Sequence, residues 1–197
     1  RVPANPLAQD LLGQFGGPIA APSANPSGRI SPTTAAHVLH GLDGQINAVI
    51  TGGNCTVGLE STIIGLEKIP TLLRPGGLAS GQIEACLGHR LAQHQTSDPL
   101  KAPGQMKSHY APAAQLRLNA TAAQSGEFLL GFGAVTADLN LSPDGDLVEA
   151  AANLFRHLHA LDTGTSTGIA VSPIPDTGLG LAINDRLQRA AAPRPKG

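Results

Sequence analysis

Aromatic residues are scarce in this chain of 197 residues, which contains no tryptophan, one tyrosine and four phenylalanines. Proteins that bind single-stranded nucleic acids stack the bases on aromatic side chains, and this sequence has few of them. The formal net charge is −1, so no overall positive field attracts a nucleic-acid backbone. Direct RNA binding is therefore disfavoured, and the core has to be built from leucine, isoleucine, valine and alanine.

Long apolar runs are also missing, and there are only two cysteines. No apolar segment approaches the roughly 20 residues that a membrane-spanning helix needs. Cys55 and Cys86 fit neither a zinc nor a redox spacing. Together with the lack of a signal segment they indicate a cytoplasmic location, and we expect both to be buried as small apolar side chains. Since the chain starts at Arg1 in what reads as the middle of a domain, we expect a fragment.

Residues 18–34 combine turn-forming residues with several polar side chains. Prolines stiffen this segment, Gly28 permits a positive backbone dihedral angle φ, and Ser23 and Ser31 provide hydroxyl groups. Ser31 precedes a proline, which predicts that Ser31 caps a helix over residues 33–42. Because N–H groups at a helix start attract anions, the segment is typical of a phosphate-binding loop. Taken alone, its polar residues also fit a simple turn.

Hydrophobic patterning predicts alternating helices and strands along the chain. The predicted helices span residues 6–15, 33–42, 80–87, 147–161 and 181–191. The predicted strands span residues 19–21, 48–51, 61–66, 71–74, 127–132 and 168–172. Residues 89–110 show no sustained period and read as a linker. We therefore predict an α/β domain over residues 1–88 and a second α/β domain over residues 111–197.

Two further patterns are too weak to predict a site. His37 and His40 lie three positions apart on one predicted helix, and His157 and His159 lie on another, but no cysteine or acidic residue completes a metal-ligand spacing. We expect these histidines to be solvated. Residues 131–133 read Gly-Phe-Gly after a predicted strand, but the third glycine of a dinucleotide-binding motif is missing. A Rossmann cofactor is therefore disfavoured.

Four short motifs follow one another along the chain. They are the segment 18–34, residues 58–62 (Gly-Leu-Glu-Ser-Thr), residues 72–76 (Leu-Leu-Arg-Pro-Gly), and residues 103–112 with Pro-Gly followed by His-Tyr-Ala-Pro. In order and approximate spacing they resemble the YrdC-like domain of L-threonylcarbamoyladenylate synthases. Residues 146–161 and 178–187 resemble the C-terminal accessory domain of the two-domain members. The resemblance implies the C-terminal part of a YrdC-like twisted α/β sheet domain followed by a small Rossmann-like α/β domain.

The resemblance also implies an activity. It predicts a nucleotidyltransferase that forms L-threonylcarbamoyl-AMP and pyrophosphate from ATP, L-threonine and bicarbonate, with Mg²⁺ accompanying the ATP. Downstream machinery would use the product to make threonylcarbamoyladenosine in tRNA. The family's N-terminal strands, which carry a lysine and an arginine for ATP, have no counterpart here, so the isolated chain is expected to be inactive. The alternative is a non-catalytic nucleotide- or RNA-binding regulatory module of the same fold.

Ligand contacts are implied by the same resemblance, residue by residue. ATP would contact Ser23, Ser31, Arg74 and Tyr110, with Ser23 and Ser31 at the phosphates or the ribose; L-threonine would contact Arg1, Ala21 and Ser61. No protein nucleophile and no metal ligand is predicted. This set suits the reaction, which needs charge neutralisation and alignment at the α-phosphate more than it needs a nucleophile.

Overall fold

The computed structural model describes residues 2–94, 102–106 and 108–193. Within these residues the strands form two separate sheets. Helices α1 (Pro6–Phe15), α2 (Ala35–Leu42) and α3 (Ser80–Leu87) come from the first part of the chain, and α4 (Leu147–Leu161) and α5 (Gly180–Ala191) from the last part. The predicted mixed α/β fold is confirmed, whereas the domain boundaries at residues 88 and 110 stay a prediction.

The first sheet is small. Strand β1 (Ile63–Gly65) runs antiparallel to β2 (Thr71–Arg74), and β2 pairs in parallel with β3 (Ala92–Gln93). The prediction that residues 89–110 contain no regular element is therefore wrong at β3. The strands predicted at residues 19–21 and 48–51 are not formed, because no described strand lies beside them to satisfy their backbone groups.

Helix starts follow local capping, with one correction. The Asn5 side chain accepts a hydrogen bond of 3.2 Å from the Ala8 N–H and caps α1 as predicted. Helix α2 begins later than predicted because Thr34, and not Ser31, is its cap. The Ser31 hydroxyl donates instead to the Glu60 carboxylate, at 2.6 Å. A helix cap has to accept an N–H hydrogen bond, and at the start of α2 the Thr34 hydroxyl accepts one of 3.1 Å from the His37 N–H.

The second sheet is entirely parallel. Its strands lie in the order β4 (Gln115–Arg117), β7 (Gly168–Val171), β5 (Glu127–Gly131) and β6 (Leu139–Asn140). The helices predicted over residues 147–161 and 181–191 are confirmed as α4 and α5. Both helices bury an apolar face, and Leu130, Leu154 and Ile183 form the centre of the core with no exposed surface.

The first part of the chain packs onto this core. Ile30 belongs to the cluster of buried residues that α4, α5 and the second sheet form, and the partly buried Leu59 packs against this cluster. By contrast, none of the residues of α1, α2 and α3 is buried. Cys55 and Cys86 are exposed, so the expectation that both are buried is wrong. No helix in the described ranges is long and apolar enough to cross a membrane.

Candidate active site

A cleft of about 770 Å³ lies where the two parts of the chain meet. Its walls come from the segment 18–34 and from residues 52–60, and Phe155 of α4 contributes to its lining. Ser23 and Ser31 both line this cleft, so the structure brings these two predicted ATP contacts together. Ser23 is exposed, whereas Ser31 is only 7% exposed. The cleft therefore presents hydroxyl groups from the predicted phosphate-binding loop.

Arg74 lies outside the lining of this cleft, at the end of β2. Its Nε and Nη2 atoms donate to the Ser61 carbonyl at 3.2 and 2.8 Å, and Nη1 donates to the Pro103 carbonyl at 3.1 Å. The side chain is buried, and burial lowers the pKa of Arg74 below its ordinary value. The guanidinium thus connects the Ser61 and Pro103 segments through hydrogen bonds to their backbone carbonyls. Its predicted contact with the triphosphate stays a prediction.

Tyr110 is almost fully buried, with 2% of its surface exposed. Its backbone is in the left-handed region, at a φ of 60°. The ring faces the Arg186 guanidinium at 5.1 Å and packs against Phe155, with 5.6 Å between the ring centroids. A side chain on Gly104 would overlap the Tyr110 hydroxyl, so this glycine is required for the close approach. Tyr110 is thus firmly placed, and its contact with ATP stays a prediction.

The predicted threonine contacts that the structure describes are not among the lining residues of the cleft, unlike Ser23 and Ser31. Ala21 is exposed on the segment 18–34, and Ser61 is half-buried, directly after Glu60, which lines the cleft. Arg1 lies outside the described residues. The roles of these three residues stay predictions.

Two charged residues in the centre of the site were missed by the sequence reasoning. Glu60 accepts from Ser31 through one oxygen and from Arg186 Nε through the other, at 2.8 Å. Arg186 is fully buried. It lies on the same buried stripe of the helix as Ile183 and Leu187. An arginine within such an apolar stripe indicates a buried charge partner. That signal was present in the sequence, although the partner could not be read from it.

The carboxylate of Glu60 is held in its ionised form. Burial by itself would raise the pKa of Glu60, but the positive charge of Arg186 and the hydrogen bonds from Ser31 and Arg186 lower it below the ordinary value. Burial likewise disfavours the charge on Arg186, but the neighbouring Tyr110, Glu60 and Asp185 leave its pKa raised. The pair is therefore a salt bridge between the two parts of the chain, with Arg186 fully buried and Glu60 partly buried at the cleft.

A histidine pair forms a second contact between the two parts. The rings of His37 and His159 stack with 3.9 Å between their centroids. The Thr33 N–H donates to His37 Nδ1 at 3.3 Å, and His159 Nε2 lies 3.2 Å from the Ser31 carbonyl oxygen. Both side chains are partly buried, so the expectation that they are solvated is wrong. They were predicted on separate helices, and only the packing of α2 on α4 brings them together.

Acid should weaken this histidine contact. Burial, reinforced by the nearby His159 and His40, lowers the pKa of His37 from 6.5 to about 4. The rings of His37 and His159 also line a cavity, and the charged side chains on its wall are those of Arg29, Arg156 and Asp162. Between pH 6.5 and about 4 the unfolded chain binds a proton at His37 that the folded protein does not bind, so the free energy of unfolding falls as the pH falls through this window. We expect a loss of about 1 kcal/mol after allowance for solvent screening.

Urea unfolding of the full-length protein at a series of pH values measures this loss. The His37→Gln variant keeps a hydrogen-bond acceptor but does not titrate, so its stability should fall less steeply below pH 6.5. Exposed His89 provides the matched control, and His89→Gln should retain the wild-type pH dependence. Equal slopes for the wild type and His37→Gln would contradict the prediction.

These observations first define a class: a two-sheet α/β protein with a hydroxyl-lined cleft at the junction of its two parts. The comparison with protein families then identifies it. A family model described as threonylcarbamoyl-AMP synthase, C-terminal domain, matches residues 78–192, and a model described as telomere recombination matches residues 1–76. The chain belongs to the threonylcarbamoyl-AMP synthase family, and the resemblance noted in the sequence is confirmed.

Individual relatives agree with this assignment. The chain is 37% identical to the threonylcarbamoyl-AMP synthase of Bacillus subtilis, over 98% of the chain and 63% of the relative. It is also 37% identical to that of Pyrococcus abyssi, over 98% of the chain and 64% of the relative. The crystal structure of P. abyssi Sua5 complexed with L-threonine superposes with a TM-score of 0.86 at 35% identity, covering 97% of this chain and 63% of that one. The chain thus spans just under two thirds of the length of these relatives.

Proposed function

We propose that the full-length protein carrying this chain forms L-threonylcarbamoyl-AMP and pyrophosphate from ATP, L-threonine and bicarbonate. The observation that carries the proposal is the cleft, which places Ser23 and Ser31 on one wall and the Glu60–Arg186 pair behind them. Membership of the family and the relatives' names support the same reaction. The P. abyssi relative is complexed with L-threonine, which supports threonine as the substrate here.

The proposed reaction has two steps that balance. The threonine amine attacks the carbon of bicarbonate, a C–N bond forms, and water leaves to give the carbamate. A carbamate oxygen then attacks the α-phosphorus of ATP, and the bond to the β-phosphate oxygen breaks to release pyrophosphate. Neither step uses a protein nucleophile, so the protein contributes alignment of the reactants and stabilisation of the developing charge.

In this proposal Ser23, Ser31, Arg74 and Tyr110 contact ATP, and Arg1, Ala21 and Ser61 contact threonine. Among the described residues, no group of three or more histidine, cysteine, aspartate or glutamate side chains is arranged to hold a metal ion. We assign Mg²⁺ to the substrate, entering with the triphosphate and screening its charge. We place the protein in the cytoplasm, where tRNA-modification machinery would consume the product.

Pyrophosphate release by the full-length protein tests the proposal. Release should require ATP, L-threonine and bicarbonate together, and it should fall to background when either threonine or bicarbonate is omitted. Mass spectrometry of the product should show threonylcarbamoyl-AMP. Pyrophosphate release that ignores threonine would contradict the assignment, and ATP binding without any turnover would favour a non-catalytic module.

A further inference from the structure

The Glu60 carboxylate connects the candidate nucleotide loop to α5. One oxygen, Oε1, accepts from the Ser31 hydroxyl at 2.6 Å, and the other, Oε2, accepts from Arg186 Nε at 2.8 Å. The two partners lie far from each other in the sequence: Ser31 is 29 positions before Glu60, and Arg186 is 126 positions after it. Each carboxylate oxygen therefore accepts from a different partner, Oε1 from Ser31 and Oε2 from Arg186.

Arg186 is held firmly enough to orient Glu60. Its Nη1 atom donates to Asp185 at 2.6 Å, and its guanidinium lies over the Tyr110 ring. Asp185 also binds Arg189, which donates to the Met106 carbonyl at 2.7 Å. A fully buried guanidinium with these partners cannot rotate away without breaking charge-assisted bonds. Since arginine carries donors only, the Glu60 atom facing it has to be an acceptor.

This arrangement determines the direction of the Ser31 hydrogen bond. An ionised carboxylate only accepts, so the single hydroxyl hydrogen of Ser31 points to Glu60. The remaining lone pairs of Ser31 Oγ can then only accept a hydrogen bond from a ligand. Of the two parts of ATP predicted for Ser31, the ionised triphosphate offers no donor near neutral pH, whereas the ribose offers two hydroxyl groups. Ser31 is consequently suited to the ribose and unsuited to the phosphates.

We propose that Glu60 and Arg186 are positioning residues that make Ser31 a hydrogen-bond acceptor for a ribose hydroxyl of ATP. The proposal rests on the proposed function, because it names the part of ATP that Ser31 binds. It also gives α5 a role in nucleotide recognition, because Arg186 on this helix fixes the hydrogen-bond polarity of Ser31 in the cleft through Glu60.

Deoxynucleotides provide the test. Binding of ATP, 2′-deoxy-ATP and 3′-deoxy-ATP to the full-length protein is measured by isothermal titration calorimetry. The wild type should bind one of the two deoxy analogues about tenfold more weakly than ATP, the value of one lost hydrogen bond. Ser31→Ala should reduce this preference to about twofold or less, because the acceptor is gone.

Substitutions of Glu60 separate positioning from simple structural support. In Glu60→Gln the amide must turn its oxygen to the donor-only Arg186 and its NH₂ group to Ser31. Ser31 then accepts from the protein and has to donate elsewhere, so the preference for the ribose hydroxyl should disappear. Adding Glu60→Gln to Ser31→Ala should leave the ratio of the ATP and deoxy-ATP affinities as it is in Ser31→Ala alone. In the double variant Glu60→Gln/Arg186→Met the amide is free to turn its oxygen to Ser31, and part of the preference should return.

The control is Glu127→Gln, which removes a carboxylate paired with Arg117 away from the cleft and should keep the wild-type preference. Equal binding of ATP and both deoxy analogues by the wild type would overturn the proposal. It would also be overturned if Glu60→Gln kept the preference, or if its effect added to that of Ser31→Ala. Should the double variant fail to fold, the Ser31 and Glu60 variants still decide the question. Threonine-dependent pyrophosphate release tests the proposed function separately, since it can persist when the ribose preference is absent.

Discussion

Replacing Arg74 by alanine should reduce pyrophosphate release by the full-length protein about 100-fold or more. The substitution removes the three hydrogen bonds that the guanidinium donates to the Ser61 and Pro103 carbonyls, and a hydrogen bond from a charged group contributes about 1.5 to 3 kcal/mol. The backbone beside Glu60 then loses its fixed position, and about 2.7 kcal/mol lost from the transition state corresponds to a 100-fold slower rate. If Arg74 also contacts the triphosphate, the loss is larger.

Two variants make this result specific. Arg74→Lys keeps the charge but cannot donate to both carbonyls with the geometry of a planar fork, so its activity should lie between those of the wild type and Arg74→Ala. Arg117→Ala removes an arginine that pairs with Glu127 in the second sheet and should retain nearly full activity. The interpretation fails if Arg74→Ala keeps activity within about threefold of the wild type while remaining folded.

Gly58→Ala should destabilise the protein by roughly 3 to 5 kcal/mol, because it combines backbone strain with a clash between the two parts of the chain. Gly58 has a φ of 72°, which a residue with a side chain adopts only with strain. The added Cβ would overlap the Ala151 carbonyl oxygen of α4 and lie 2.6 Å from the Ala152 Cα. Both obstacles are backbone atoms of a buried helix, so relief requires α4 to move away from the cleft.

Gly53 is the matched control for this substitution. It has a φ of 83° but no neighbouring atom within 4 Å, so Gly53→Ala carries the strain without the clash. Its cost should be about 1 kcal/mol. The free energies of unfolding from urea titration of the two variants should therefore differ by at least about 2 kcal/mol. Similar values for the two variants would show that the contact between Gly58 and α4 contributes little.

Local chemistry in the sequence was enough to predict many of the regular elements. Asn5 before a proline and a glycine at position 16 define α1, and the glycine at position 88 ends α3 with a φ of 74°. The apolar spacing over residues 147–161 gave α4 to the residue. These features act within one or two turns, so they need no knowledge of what packs against the helix. The ordered motifs identified the family for the same reason, since each is a short contiguous segment.

Short strands were predicted less well, because a strand exists only where a neighbour completes its hydrogen bonds. The apolar residues 48–51 have no such neighbour among the described residues, whereas Ala92–Gln93, with an undistinguished sequence, pairs with β2. The prediction that Cys55 is buried failed for the same reason, because burial also depends on a neighbouring element. A small apolar side chain is buried only if another element covers it, and none of the described elements covers Cys55.

The sequence by itself therefore determined the family, the main helices and the hydroxyl-bearing loop. Only the tertiary structure decided which groups of the candidate site contact one another: the Ser31 hydroxyl donates to Glu60, Thr34 caps α2, and Glu60 accepts from an arginine on α5. A charge in the core requires a partner, and the sequence can show that requirement at Arg186. The partner's identity depends on how the two parts of the chain dock, because contacts 126 positions apart are selected by packing of the whole fold and not by local propensity.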